Sequence, residues 1–421
     1  MGSAGEATWK QLDIGVIGGG LGGFAAALSL RRAGHKVVVY ERAHFAGEVG
    51  ASISCAANGT RWLEEWNVDV SIGKPVILRN LISRDWDTGA EQNVYDLGDY
   101  KEKWGYVYYM FHRQDMHKML MEAALGEGEG IRPELKLDHK LTDIDFETGR
   151  IKFENGTEVQ HDAVVAADGV GSTVRARMGI VPDKKPCTST CLHANVDRAQ
   201  AQALGLPDYA SNDAIEYWGG YGDDKIVFSP CHEGKILSFY CFFPREKGKV
   251  GDEGWNYMAS LEELLEPYPE LDPNVIAHLK ISTDIRPWRL WIHQEYSFWA
   301  KGVSSLMGDA AHPMMPDQSQ GACQAIEDAA ALGLVFSKEH FRGDVPEAFK
   351  IFEEVRKRRA TKVQSASARA RLNITERIGF SSNTSNQKYS VANEHEKLTI
   401  DEMNTYDMKS HVADVYRAHY R

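Results

Sequence analysis

Cysteine is scarce in this chain. Cys55, Cys187, Cys191, Cys231, Cys241 and Cys323 are too few and too scattered over 421 residues for a disulfide framework. Reduced thiols and a cytoplasmic location are the expectation. "CTSTC" at 187–191 has no second pair of Cys or His nearby, so no metal site is expected. Long apolar runs are also missing. The most apolar early stretch, Ile14 to Leu30, is broken by glycines and reads as neither signal peptide nor membrane span. "MGSAGE" has Glu6 where a myristoylation signal needs Ser or Thr. Basic charge is in deficit: 48 Lys and Arg against 60 Asp and Glu leave a net charge of −12, which argues against a nucleic-acid partner. The densest basic run, "RKRR" at 356–359, lies in a helical pattern and reads as a solvated face. Internal repeats and low-complexity segments are absent.

What is present suits a globular protein. An apolar fraction of 43% with 26% charge is ordinary, and the length allows about two closely knit domains. The pattern predicts a strand over 12–17, a helix over 22–34 and a second strand over 36–41, the size of a βαβ crossover. Apolar strands recur in "HDAVVAADGVGSTVRARM" (161–178) and "KGVSSLMGDAAHPMMP" (301–316). Between them, 186–285 is strand-rich, aromatic and punctuated by Gly and Asp, as in an antiparallel sheet. Long helices are predicted over 318–336 and 345–379. A polar tail follows from Ser381 to Asp401, and a last short helix over 402–421. The expected fold is α/β, with a discontinuous Rossmann-like domain (1–80, 105–185 and 286–370). A β-rich domain is inserted in it (81–104 and 186–285), and 371–421 forms a C-terminal helical segment.

Within the first unit, Gly18, Gly20 and Gly23 form G-x-G-x-x-G between strand and helix. The first glycine permits the tight turn, the second lets the backbone approach a pyrophosphate, and the third lets helix and strand pack closely. A phosphate would then lie at a helix N-terminus. Glu41, at the end of the second strand, is placed to accept both hydroxyls of an adenosine ribose. The glycines alone do not separate NAD from FAD.

Later motifs do. "DAVVAADGVGSTVR" (162–175) and "GDAAHPMMPDQSQGACQAIEDAAALG" (308–333) resemble motifs of the single-component, FAD-dependent aromatic hydroxylases, the group that contains para-hydroxybenzoate and salicylate hydroxylases. "ERAHFAGEVGASI" (41–53), "HRQDMHKML" (112–120) and "MNTYDM" (403–408) match as well, the last pointing to the salicylate-hydroxylase-like branch. The resemblance spans about residues 12 to 408. It implies FAD, held by Gly18, Gly20, Gly23, Glu41, Arg42, Ala51, Arg113, Asp168, Asp309, Gly321 and Ala322. Asp309 would bind a ribityl hydroxyl. Gly321 and Ala322 would offer helix N–H groups to the flavin's pyrimidine end. Asp168 serves equally well as a strand-end residue. NADH or NADPH would reduce the flavin transiently, in a groove near Asp168 and Arg175, with NADH slightly preferred. Oxygen would then add as a C4a-hydroperoxide and attack an electron-rich ring.

The expected substrate is a small phenolic acid of the hydroxybenzoate or salicylate type, with decarboxylation at the attacked carbon. Pro313 and Pro316 would lie over the flavin. The family's P-x-x-G-Q-G is altered here: Asp317 and Ser319 are departures. Relatives that dearomatise polyketide phenols carry an Arg and a Tyr where this chain has His193 and Ser229. His193, with a pKa near neutrality, is the candidate to hold an anionic oxygen or take a phenol proton; a hydrogen-bonded core histidine is the alternative. Tyr217, Trp218, Tyr221, Phe228 and Tyr240 are candidate walls, about a third of them touching substrate. Three other readings stay open: a hydroxylase of a larger phenol, a non-catalytic FAD-fold binding protein, and a flavin oxidase. A homodimer is a possible assembly.

Overall fold

The computed structural model describes residues 9–44, 50–248, 257–382 and 397–420. "MGSAGE", the 45–49 part of the 41–53 motif, and most of the polar tail lie outside them.

Strand Asp13–Ile17, helix Leu21–Arg32 and strand Lys36–Tyr40 form the first unit, within two residues of the predicted bounds. The two strands pair in parallel, with Val16 opposite both Val39 and Val165. Ala163–Ala166 and Ser304–Leu306 extend the same sheet on one side and Glu134–Lys136 on the other. The central strands read as unbroken apolar runs, the pattern of a parallel sheet buried on both faces. Helices Leu21–Arg32 and Gly321–Val335 pack together over it.

A second, seven-stranded sheet carries the β-rich part. Its order is 283–288, 189–197, 236–244, 225–231, 214–219, 80–84, 91–96. All neighbours are antiparallel except 214–219 against 80–84, which run parallel, a departure from the uniformly antiparallel sheet expected. The 257–285 stretch also holds two helices, Leu261–Leu265 and Pro273–Lys280. Strand alternation sorts the side chains: Tyr217 joins the core that contains the parallel sheet, while Trp218 and Phe228 fill a separate core with Phe239 and Phe243.

Three helix expectations need correction. The long helix ends at Leu372, not 379. Asn373 leaves helical geometry, its side chain accepts the Thr375 N–H at 3.1 Å, and Ile374 N donates to Gly220 O at 2.9 Å. The backbone has been captured by the loop after strand 214–219. The last helix is two, Ile400–Asn404 and Met408–His419, because Asp407 caps the second through Ser410 N. Finally, "RKRR" is not a solvated face. Arg356 is completely buried and Arg359 nearly so, one helical turn apart, while Arg358 faces solvent.

Arg356 Nε donates to Asp328 Oδ1 at 2.8 Å, and its Nη1 reaches Glu327. Arg359 Nε donates to Glu327 at 2.8 Å. Asp328 Oδ2 accepts the Gly308 N–H at 2.8 Å and lies 2.6 Å from His312 Nε2. Burial alone would raise the Asp328 carboxyl, but His312 and Arg356 hold it below the ordinary range. Removing one partner of such a buried pair strands the others. Arg356→Ala is therefore expected to lower unfolding free energy by about 3–5 kcal/mol, measured from the denaturant midpoint at constant m-value; a loss under 1 kcal/mol would contradict it.

Candidate active site

One cavity of about 880 Å³ runs between the parallel sheet and the larger sheet. Its first end is the glycine turn. Gly18 has φ +107° and donates to Tyr40 O at 2.8 Å. A Cβ on Gly23 would lie 1.9 Å from Gly18 O, so no side chain fits there. Helix Leu21–Arg32 begins at Gly20 with no side-chain cap, and Gly20, Leu21 and Gly22 form cavity wall. Among the described residues no acceptor takes those first-turn N–H groups, which border the cavity. Glu41 already holds two backbone groups, Gly19 N on Oε2 and Ala43 N on Oε1, each at 2.8 Å. It shapes the turn while standing on the wall beside exposed Arg42.

A second uncapped helix reaches the same cavity. Gly321–Val335 starts after Gln320 without a side-chain cap, and Gly321 and Ala322 line the wall. Ser172, Asp197, Asp272, Asp344 and Asp407 cap other helices through their side chains, whereas Ala57–Glu65, Tyr100–Trp104 and Arg113–Leu125 also start without one. Two bare N-termini on one cavity suit a ligand bearing negative charge at two separated places. Asp309 sits in the short turn Gly308–Ala310, three residues beyond the strand it was expected to end. It is exposed on the wall, and among the described residues no donor binds its carboxylate.

Other expected cofactor residues are sorted by the geometry. Arg113 opens helix Arg113–Leu125 on the wall and donates its N–H to Ala51 O at 2.7 Å. Ala51 itself is wholly buried and lies off the wall; it fixes Arg113 through its carbonyl. Asp168 lines the cavity, yet its Oδ2 accepts Thr173 N and Val174 N at 2.7 and 3.2 Å, and burial raises its carboxyl pKa. Arg175 does not open onto a groove. It is buried, donates to Ala310 O at 3.0 Å and lies over the Tyr296 ring, so it braces the Asp309 turn.

The far end is walled by Tyr217, Ser229, Tyr240, Phe242, Trp288 and Pro316. Tyr240 Oη donates to Ser52 O at 2.7 Å, and Ser229 Oγ lies 2.6 Å from Ser52 Oγ. Tyr217 Oη accepts from Arg377 Nε at 2.9 Å. Of the five aromatic candidates only Tyr217 and Tyr240 reach the cavity; Trp218 and Phe228 are core and Tyr221 is exposed on the surface. Pro316 lines the wall but Pro313 does not.

His193 is the main correction. It is fully buried behind Tyr240 and is not a wall residue. Its Nε2 lies 2.8 Å from Ser238 Oγ, and burial pushes its pKa down to about 3. A neutral, enclosed imidazole cannot be the cation of the site. That charge is carried by a residue the motifs passed over. Lys225, first residue of its strand, lies on the wall paired with Asp317. Burial pushes its ammonium down to about 8 despite that partner. The only advance signal was Asp317, a carboxylate where the family pattern does not require one. Ser319, at φ 54°, adopts the left-handed conformation that its glycine counterpart takes without strain.

Comparison with known proteins adds a family. Residues 11–367 match the FAD binding domain family model. The chain is similar to hispidin-3-hydroxylase of Neonothopanus nambi, 29% identical over 85% of this chain and 88% of that one. It is 31% identical to 6-hydroxynicotinate 3-monooxygenase of Bordetella bronchiseptica, over 84% and 90% of the two chains. Among solved structures, CtdE in complex with FAD and substrate superposes with a TM-score of 0.80 over 98% of this chain and 100% of that chain, at 19% identity.

Asp309 supplies a clean test of the cavity wall. Asp309→Ala removes no hydrogen bond among the described residues, so stability of the FAD-free protein should change by less than about 0.5 kcal/mol. FAD affinity, followed by flavin fluorescence, should fall at least about tenfold, the worth of a charge-assisted bond. Unchanged FAD affinity would remove Asp309 from the site.

Proposed function

We propose, for a chain that belongs to the FAD-dependent aromatic hydroxylase family, that the reaction is hydroxylation of a small phenolic acid with release of its carboxyl group as carbon dioxide. The chain is an FAD-dependent monooxygenase; substrate, decarboxylation and a preference for NADH are the proposed part. The reading is carried by the single cavity that joins two bare helix N-termini to an aromatic end bearing a buried lysine.

The residues present fit FAD. The N–H groups after Gly20 would hold the pyrophosphate, with Gly18 and Gly23 keeping side chains out of its path. Glu41 and Arg42 would stand at the adenosine ribose, Asp309 at a ribityl hydroxyl, and Arg113 along the same wall. Gly321 and Ala322 would offer N–H groups to negative charge on the ring system. Bound FAD supplies the electron transfer and oxygen activation that side chains lack.

The protein's own share is orientation and dryness. Tyr240 and Ser229 are tied to Ser52, so their positions are fixed before any ligand enters. Tyr217 accepts from Arg377, and its own O–H, which has no acceptor among the described residues, would serve a ligand. Phe242, Trp288 and Pro316 exclude water from the space between. No step is assigned to His193.

A larger phenol is the second reading, supported by the likeness to a hispidin hydroxylase. One assay separates the two. NAD(P)H oxidation should be stimulated by salicylate or para-hydroxybenzoate, giving catechol or hydroquinone plus carbon dioxide. Protocatechuate from para-hydroxybenzoate would replace decarboxylation by ortho hydroxylation. Stimulation by larger neutral phenols alone would reject the phenolic-acid reading.

A further inference from the structure

Three cations and one carboxylate are buried together at the far end of the cavity. Lys225, Arg371 and Arg377 have side chains no more than 3% exposed, and Asp317 is equally enclosed. Asp317 Oδ1 accepts from Lys225 Nζ and from Arg371 Nη1, the latter at 3.2 Å. Arg371 also donates to Ser189 Oγ at 2.8 Å and Asp223 O at 2.7 Å, with Phe242 under its guanidinium. Arg377 is satisfied by Tyr217 Oη and Ile378 O, both neutral.

The charges do not balance. Asp317 neutralises one cation, and Asp224 tempers Arg371 from the half-exposed side. At least one buried positive charge is left over. Burying an unpaired charge is costly, so such a surplus persists where a ligand completes it. The unused hydrogen-bonding capacity agrees. Lys225 Nζ has three N–H bonds and two acceptors among the described residues, Asp317 and Ala370 O at 3.2 Å. Tyr217 accepts from Arg377, and its own hydrogen has no acceptor among the described residues. Lys225, Asp317 and Tyr217 are all cavity wall. In a chain of net charge −12, a concave cationic spot focuses the field on one place.

We infer that this end of the cavity is an anion subsite, in which Lys225 binds a carboxylate oxygen of the aromatic substrate and the Tyr217 hydroxyl supplies a second donor. Asp317 and Arg371 are positioning residues that hold the ammonium in place. The inference rests on the hydroxylase reading above and narrows its substrate to an anion.

The test uses the oxidised FAD-loaded protein without reductant, so that only ligand binding is read. Salicylate and para-hydroxybenzoate are titrated against their amides, salicylamide and para-hydroxybenzamide, and Kd is taken from the flavin absorbance change. Lys225→Met should weaken the acids at least about tenfold, the loss of one bond to a charged group, and the amides less than twofold. Lys225→Arg should restore most of the difference. Tyr217→Phe, which keeps the ring, should also reduce the acid-over-amide preference, and it serves if Lys225→Met does not hold FAD. Parallel weakening of acids and amides, or an unchanged preference in Tyr217→Phe, would overturn the subsite. Acids that bind as expected yet yield no hydroxylated product once NAD(P)H is added would leave the subsite standing and defeat the reaction. Neutral phenols that bind and are hydroxylated while acids do neither would defeat both the subsite and the phenolic-acid substrate, leaving the monooxygenase activity standing.

Discussion

The buried Arg356 is the constraint on which both ends of the cofactor wall depend. It binds adjacent carboxylates, Glu327 and Asp328, on the helix whose bare N-terminus meets the cavity. Asp328 in turn fixes the Gly308 N–H, one residue before the exposed Asp309. Glu327 accepts from Asn58, whose amide also reaches Gln320, the residue just before Gly321. One guanidinium therefore helps set the mutual position of an acidic wall residue and a helix N-terminus, beside the direct packing of the 308–310 turn on Ala325. A hydrophobic replacement of the whole group could be as stable. What it could not do is hold two backbone segments at fixed hydrogen-bonding distances, which is what a preorganised site needs.

The far end uses buried charge in the opposite sense. Around Arg356 the two carboxylates, helped by Arg359 and His312, leave little net field. Around Lys225 the protein leaves a cation unmatched. The contrast is informative because both groups are equally dry. A structural network is expected to close on itself, since an unsatisfied member loses its hydration without return. A network that stays open beside a cavity is shaped for something that enters.

Much of the first end was legible in the sequence, because its parts are local. The glycines at 18, 20 and 23 act within one turn, Glu41 closes the adjoining strand, and Gly321 and Ala322 begin a helix that the apolar pattern marks. Period and turn chemistry read such features directly. The misreadings arise where tertiary contacts decide. "RKRR" is polar by composition, yet a helix with a 3.6-residue period puts Arg356 and Arg359 on the core side while Arg358 stays outside. His193 is hidden because the rings of Tyr240 and Trp288 pack against it and themselves line the cavity, a shielding by other strands that no spacing along its own strand announces. The long helix was extended past Leu372 because nothing local announces that Gly220 O competes for the Ile374 N–H.

The substrate end was illegible for a related reason. Lys225, Tyr217, Asp317, Arg371 and Arg377 come from two strands, the turn after the Asp309 motif, the end of the long helix and the segment beyond it. No spacing rule joins them. Gln318 does the joining: its amide donates to Glu376 O at 2.6 Å and accepts Ile378 N at 2.7 Å, fastening the C-terminal segment to the Pro316 turn. Asp317 and Ser319 flank that residue, and both are departures from the family pattern. Asp317 carries the link to Lys225 and Arg371, and Ser319 tolerates a left-handed backbone while its Oγ faces Arg377 at 3.4 Å. The two departures that made the oxygen-side motif look irregular are thus coupled to the cation-rich floor. The cofactor wall, fixed by Arg356, and this floor meet at the turn between Pro316 and Gly321 and along the long helix, which carries Arg356 near its middle and Arg371 at its end.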